Sequence, residues 1–242
     1  MEEHTTRVES PMQRETAAPI ARVTRWLLVG GIVGPILFVV VYTLEGATRP
    51  GYDAARQAVS SLSLSGWGWM QILNFVVCGT LVIGFALGLG RVLVPGARGA
   101  TWGPRLIGTV GLGLLCAGVF VTDPAQGYPA GTPEGPAATT TLHGTLHFAL
   151  GATGFFGLLP VACFVLAHYF SGRPGWRGWT TYSIATGILM YASFAGFIAA
   201  STHRGPAGLF ERVAISIGML WLMLLAARLL LHARGRIAHR GR

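Results

Sequence analysis

The chain has 242 residues, of which 52% are hydrophobic and only 11% are charged, where a soluble domain carries about 25% charged residues. Its formal charge of +9 comes from arginines set beside long apolar stretches rather than gathered on one face, which argues against nucleic acid as a partner. All 18 basic residues are arginine, so a Walker A lysine, a Schiff-base lysine and a catalytic lysine are excluded.

Residues 1–25 are polar and mixed in charge and read as a disordered cytoplasmic tail. The first apolar run, 26–44, is longer than a signal-peptide core, and Glu45-Gly46-Ala47 is a poor cleavage site, so it reads as an uncleaved anchor. It carries Gly30-x-x-x-Gly34, a close-packing spacing, and Pro35, which is expected to bend the helix. In 53–64, Ala55, Ala58, Val59 and Leu62 fall at helical spacing, with Asp53 as a candidate N-cap. This predicts a short amphipathic helix between spans one and two, lying on the outer membrane surface or tucked back into the bundle. Trp67 and Trp69 follow as interfacial anchors.

The second span, 69–89, repeats the small-residue spacing at Gly84 and Gly88, and the third, 106–122, ends at Asp123-Pro124. Residues 123–141 hold four prolines and no helical pattern, and read as a connector rather than a lid. Three further spans cover 143–167, 180–201 and 213–231, and 232–242 is a basic cytoplasmic tail. A bilayer core about 30 Å thick needs roughly 20 apolar residues in a helix. The expectation is therefore an all-α bundle of six transmembrane helices forming one domain over 26–231. The 35 glycines suit that class. No internal repeat relates 26–122 to 143–231. Cys78, Cys116 and Cys163 lie in the spans without a Cys-x-x-Cys pair and read as small buried hydrophobes.

Fourteen of the 18 arginines fall in the two tails and in the connections after spans two and four. The opposite side has Arg49, Arg56, Arg204 and Arg212. The positive-inside rule then places both termini in the cytoplasm of a multi-pass cell-membrane protein. After the N-terminal tail, every acidic residue (Glu45, Asp53, Asp123, Glu134 and Glu211) lies on the outer side. These charges read as salt bridges that fix the loops, with Arg56, Ser60 and Arg204 as candidates for binding a phosphate head group.

The most specific chemical signal is His143-Gly-Thr-Leu-His147. Residues four apart share a helix face, so two imidazoles so placed can ligate one metal ion. Asp123 and His203 are expected in the same layer. Together with His143 and His147 they would make a zinc set, or three ligands plus an acid-base group acting on a bound water. The alternative is that the histidines serve only packing and hydrogen bonding.

Tyr52-Asp53, Val59-Ser60-Ser61-Leu62, Gly66-Trp67, Asn74-Phe75, Asp123-Pro124 and Thr141-Leu-His143-Gly-x-x-His147, in that order between matching spans, resemble the bacterial integral-membrane family catalogued as domain of unknown function 998. The resemblance covers roughly 26–231 and implies a six-helix membrane protein without an assigned activity. A weaker similarity is to membrane hydrolases that include alkaline ceramidases, which place a serine, an aspartate and three histidines around zinc. By that similarity Ser61 and Asp123 would be catalytic, and His143, His147 and His203 would hold the metal. The chain departs from that pattern in having six spans rather than seven and in carrying His-x-x-x-His in the fourth. Three functions follow as expectations: a protein binding a lipid or membrane partner at its outer face, a metal-dependent hydrolase of a lipid or amide, and a small transporter with His147 as its titrating group.

Overall fold

The computed structural model describes residues 21–203 and 205–238, with side chains through residue 232. Six helices are long and apolar enough to cross a membrane: α1 (Arg22–Thr48), α2 (Gly68–Val92), α3 (Arg98–Val119), α4 (Leu142–Ser171), α5 (Arg177–Thr202) and α6 (Ala207–Ala238). Each expected span falls on one of them, and the described residues contain no strand. The helices run past the apolar windows because flanking polar residues extend a helix without difficulty. Thus α3 already starts at Arg98, and α1 continues through Pro35 to Thr48.

Consecutive helices pack as neighbours, and α6 returns against α1 to close a ring. Lipid gives apolar helices no hydrophobic reason to associate, so close approach of small residues supplies much of the attraction. Gly30 and Gly34 of α1 face Cys78 and Leu81 of α2, while Gly88 of α2 faces Leu27 and Leu28 of α1. A Cβ on Gly79 would stand 2.7 Å from the Gly111 carbonyl oxygen, and one on Gly111 2.8 Å from that of Gly79, so α2 and α3 cross backbone to backbone. Asn74 adds a polar tie, donating from Nδ2 to the Phe38 carbonyl at 3.1 Å.

Within α4, His147–Leu158 is a π-helix, flanked by α-helical Leu142–Leu146 and Leu159–Ser171. Thr153 Oγ1 accordingly donates to the Phe148 carbonyl, five residues back, at 3.3 Å. A π segment widens the turn, and such segments gather at functional sites.

Six successive helices bring the first and last described residues to one end. The opposite end is closed by the connections 49–67 and 120–141 and is called the capped end below. In the first connection the expected short helix is a 3₁₀ helix, Val59–Leu64, packed on α1, α2 and α6. Val59 through Ser63 are all buried, so of the two placements the segment takes the one inside the bundle. Asp53 caps no helix; its Oδ1 accepts from the Ala55 N–H at 2.9 Å in a turn. The second connection is no loose tether either. Gln126 and Tyr128 are buried, and Tyr128 packs edge-on against Tyr52.

Arg49, at the end of α1, fastens the 3₁₀ segment. Its guanidinium pairs with Glu45 at 2.7 Å and donates to the Leu62 carbonyl at 3.3 Å, to Ser65 Oγ and to the Trp67 carbonyl at 3.4 Å. Both members of the pair are buried. Breaking a buried pair by removing one partner strands the other charge and costs about 3–5 kcal/mol. Arg49→Met is therefore expected to lower the melting temperature in detergent sharply, and Arg49→Met with Glu45→Leu to recover much of the loss. An unchanged melting temperature in the single variant would show that the pair is not what holds the segment.

Candidate functional site

The start of α6 organises the capped end. The first N–H groups of a helix lack intrahelical partners. Those of Gly208 and Leu209 donate to the Arg56 and Ala55 carbonyls at 3.1 and 2.9 Å. Gly208 must lack a Cβ, because one would strike the Gln57 and Ala54 carbonyls. One turn on, Arg212 donates to the Gln57 carbonyl at 2.9 Å and to the Tyr52 hydroxyl, and that hydroxyl donates to the Ala58 carbonyl at 2.8 Å. Burial pushes the Tyr52 phenol far above its ordinary range, against the opposing pull of Arg212, so it keeps the proton it donates. Glu211 Oε2 then accepts from the Val59 N–H at 2.7 Å.

The second connection is tied to the same layer. Gln57 Nε2 donates to the Gln126 carbonyl at 3.0 Å, and Gln126 Nε2 donates to the Ser201 carbonyl of α5 at 2.8 Å. Arg56 forms an ion pair with Glu134 of the second connection.

The His-x-x-x-His segment forms a clamp with Asp123. Thr141 caps α4 by accepting from the Gly144 N–H at 3.1 Å. Asp123 in turn accepts from the Thr141 N–H at 2.9 Å and from its hydroxyl at 2.7 Å, one bond to each carboxylate oxygen. The carboxylate lies where a Cβ on Gly144 would stand, which explains the glycine. Both histidines address one residue just beyond α3: the His143 ring meets the edge of the Phe120 ring at 5.7 Å, and His147 Nδ1 bonds the Phe120 carbonyl at 2.7 Å. A carbonyl only accepts, so Nδ1 carries a proton and is the donor in this bond.

These elements roof a cavity of about 210 Å³ inside the helix ring. Its lining has two characters. Phe38, Phe75, Phe148, Phe155, Phe156 and Phe197 supply an apolar floor and wall from four different helices. Arg56, Ser60, Ser61, Asp123, His147 and Glu211 supply the polar side. Ser60 and Ser61 spend no side-chain hydrogen bond on the protein among the described residues, so their hydroxyls are available to a ligand. Glu211 is only 6% exposed, and it uses one carboxylate oxygen on Val59. Its other oxygen has no hydrogen-bond partner among the described residues.

The structure thus brings five of the sequence-derived candidates, Arg56, Ser60, Ser61, Asp123 and His147, to one cavity. It does not bring the four expected metal ligands together. His143 and His203 are exposed and line no part of the cavity, and Asp123 is committed to Thr141. Among the described residues no three His, Cys, Asp or Glu side chains are grouped to share a metal ion, so the residues present do not fit the zinc set. Arg204 lies outside the described residues. Sequence reasoning missed Glu211 and Gln126 as members of the site. Glu211 stands just before the apolar window 213–231, so its place beside a span was the available signal; Gln126 gave none beyond its place before a glycine.

The chain belongs to the family described as protein of unknown function (DUF998), which matches residues 32–228. No curated protein and no solved structure matches it. The match contains every residue of the clamp and of the cavity lining.

The clamp makes a coupled prediction. Asp123→Ala is expected to cost about 1–2 kcal/mol, the usual loss when a helix start loses its anchoring hydrogen bonds. Gly144→Ala should cost about 1–3 kcal/mol as overpacking against the carboxylate. The double variant should be no less stable than Asp123→Ala alone, since removing the carboxylate makes room for the new methyl. Simple additivity in thermal melts would contradict the clamp.

Proposed function

We propose that this DUF998 member holds a small amphipathic molecule, drawn from the surrounding lipid, in the cavity at its capped end. The observation that supports it is the two-sided lining: six phenylalanine rings on one side, and two unused hydroxyls with a buried carboxylate on the other. Ligand sites combine a mostly apolar wall with a few placed polar groups in this way.

The wall toward α5 offers an entrance. Below the cavity the π segment meets α5 through the stacked rings of Phe156 and Phe194, 4.6 Å apart, and through Tyr191 Oη donating to the Gly157 carbonyl at 2.8 Å. Closer to the capped end, Phe148 lines the cavity and is also 51% exposed on the outside of the ring. It lies six residues into α4, about 9 Å from the helix start, at a depth where the surroundings are acyl chains. Phe148, with half-buried Ala152 and Phe197 beside it, therefore stands between cavity and bilayer.

Binding is preferred over hydrolysis because Asp123, the expected acid-base group, has both oxygens occupied by Thr141. A phosphate head group is disfavoured because Arg56 is already paired with Glu134. In this reading the arginine bias keeps both termini in the cytoplasm, so the capped end faces outward from the cell membrane.

Ala152→Trp, placed in the cavity wall, is expected to fill the space while leaving the fold intact. Extraction and mass spectrometry of the purified protein should find an amphipathic molecule at close to one per chain in the wild type and several-fold less in the variant, at matched melting temperatures. Equal amounts in both proteins, or only bulk lipid in both, would overturn the reading.

A further inference from the structure

The charges around the cavity select the ligand's polar end, given the binding role proposed above. The lining contains two carboxylates, Asp123 and Glu211, against one guanidinium, Arg56. The Arg56 charge is claimed by Glu134, which is not part of the lining. Asp123 is half-buried and accepts from Thr141 at both oxygens, which commits it to anchoring the start of α4. His147 spends its Nδ1 proton on the Phe120 carbonyl. That leaves Glu211, buried and with one free oxygen. Arg212 is next in sequence, but its guanidinium is spent on the Gln57 and Gly208 carbonyls and on Tyr52, and no ion pair joins it to Glu211. A buried carboxylate without a counter-ion is costly. Ionisable groups kept inside a membrane protein usually mark the path or the site of a ligand.

The rest of the lining suits the same chemistry. Aromatic faces attract cations, and rings gathered around an ammonium form the familiar cage for that group. The six phenylalanines contribute no hydrogen-bond donor that would favour an anion. We infer that the cavity binds an amphiphile with an alkylammonium head, with Glu211 as its counter-ion and the phenylalanine rings around its nitrogen and chain.

The test uses the full-length protein in nanodiscs and three probes of one shape: 3-phenylpropylammonium, 3-phenylpropanol and 3-phenylpropanoate. Calorimetric titrations are run against empty nanodiscs to remove partitioning into lipid. The wild type should bind the ammonium at least about 10-fold more tightly than the alcohol, and the carboxylate more weakly than either. Glu211→Gln, whose amide oxygen can still accept from Val59, should bring the ammonium to the affinity of the alcohol and leave the alcohol unchanged. Glu211→Asp should keep a preference for the cation. Equal binding of ammonium and alcohol by the wild type would overturn the inference while leaving the amphiphile reading intact. A preference for the ammonium that survives Glu211→Gln would overturn Glu211 as the counter-ion. Failure of all three probes to bind would overturn the amphiphile reading itself and this inference with it. Because charge preference is read first in the wild type, the outcome does not depend on the variants folding.

Discussion

Acyl chains offer no hydrogen bond to a peptide group, so a segment folded into a membrane protein outside its α-helices must find every partner within the protein. The stretch from Asp53 to Leu64 is such a segment, folded back among α1, α2 and α6. Its carbonyls and N–H groups are met one by one. Ala55 and Arg56 are met by the first amides of α6, Gln57 by Arg212, Ala58 by Tyr52, Val59 by Glu211 and Leu62 by Arg49. The buried charges at this end are therefore explained first by backbone, before any ligand. Because the segment roofs the helix ring rather than filling it, a cavity remains beneath.

The Asp123 clamp does the same for the second connection. It fixes the start of α4 so that His147 enters the bundle at the level of Phe120 and the π segment begins there. Small residues then let that wide segment lie directly on α3. A Cβ on Gly113 would stand 2.8 Å from the Leu150 carbonyl, and one on Gly151 2.9 Å from Ala117. The cavity wall on this side is thus set by glycine and alanine, and the phenylalanines project past it. Roof and floor have separate origins, which is why a polar side and an apolar side face each other across so small a space.

The six spans were legible in the sequence because each apolar window is long enough by itself, and nothing tertiary was needed to see it. The capped end was only partly legible. Helical spacing in 53–64 correctly signalled a short helix, yet it could not distinguish a 3₁₀ turn fastened by Arg49 and Arg212 from an α-helix on the membrane surface, because those partners lie in other helices. His143 and His147 do share a helix face, as their spacing indicated. What the spacing could not show is that both are drawn to Phe120, so that one packs on its ring and the other holds its carbonyl. Glu211 reads in the sequence as one more outer-side acid; its burial depends on α6 docking under the 3₁₀ segment, which no local pattern encodes.

The central claim is that the cavity is an occupied site and not a packing defect. The most direct measurement is a density map of the protein in a native-lipid nanodisc. The account requires elongated density among Phe38, Phe75 and Phe155, with one end within hydrogen-bonding distance of the free Glu211 oxygen. A cavity collapsed by rotated phenylalanine rings, or one holding only ordered water with Glu211 turned toward Arg212, would contradict it.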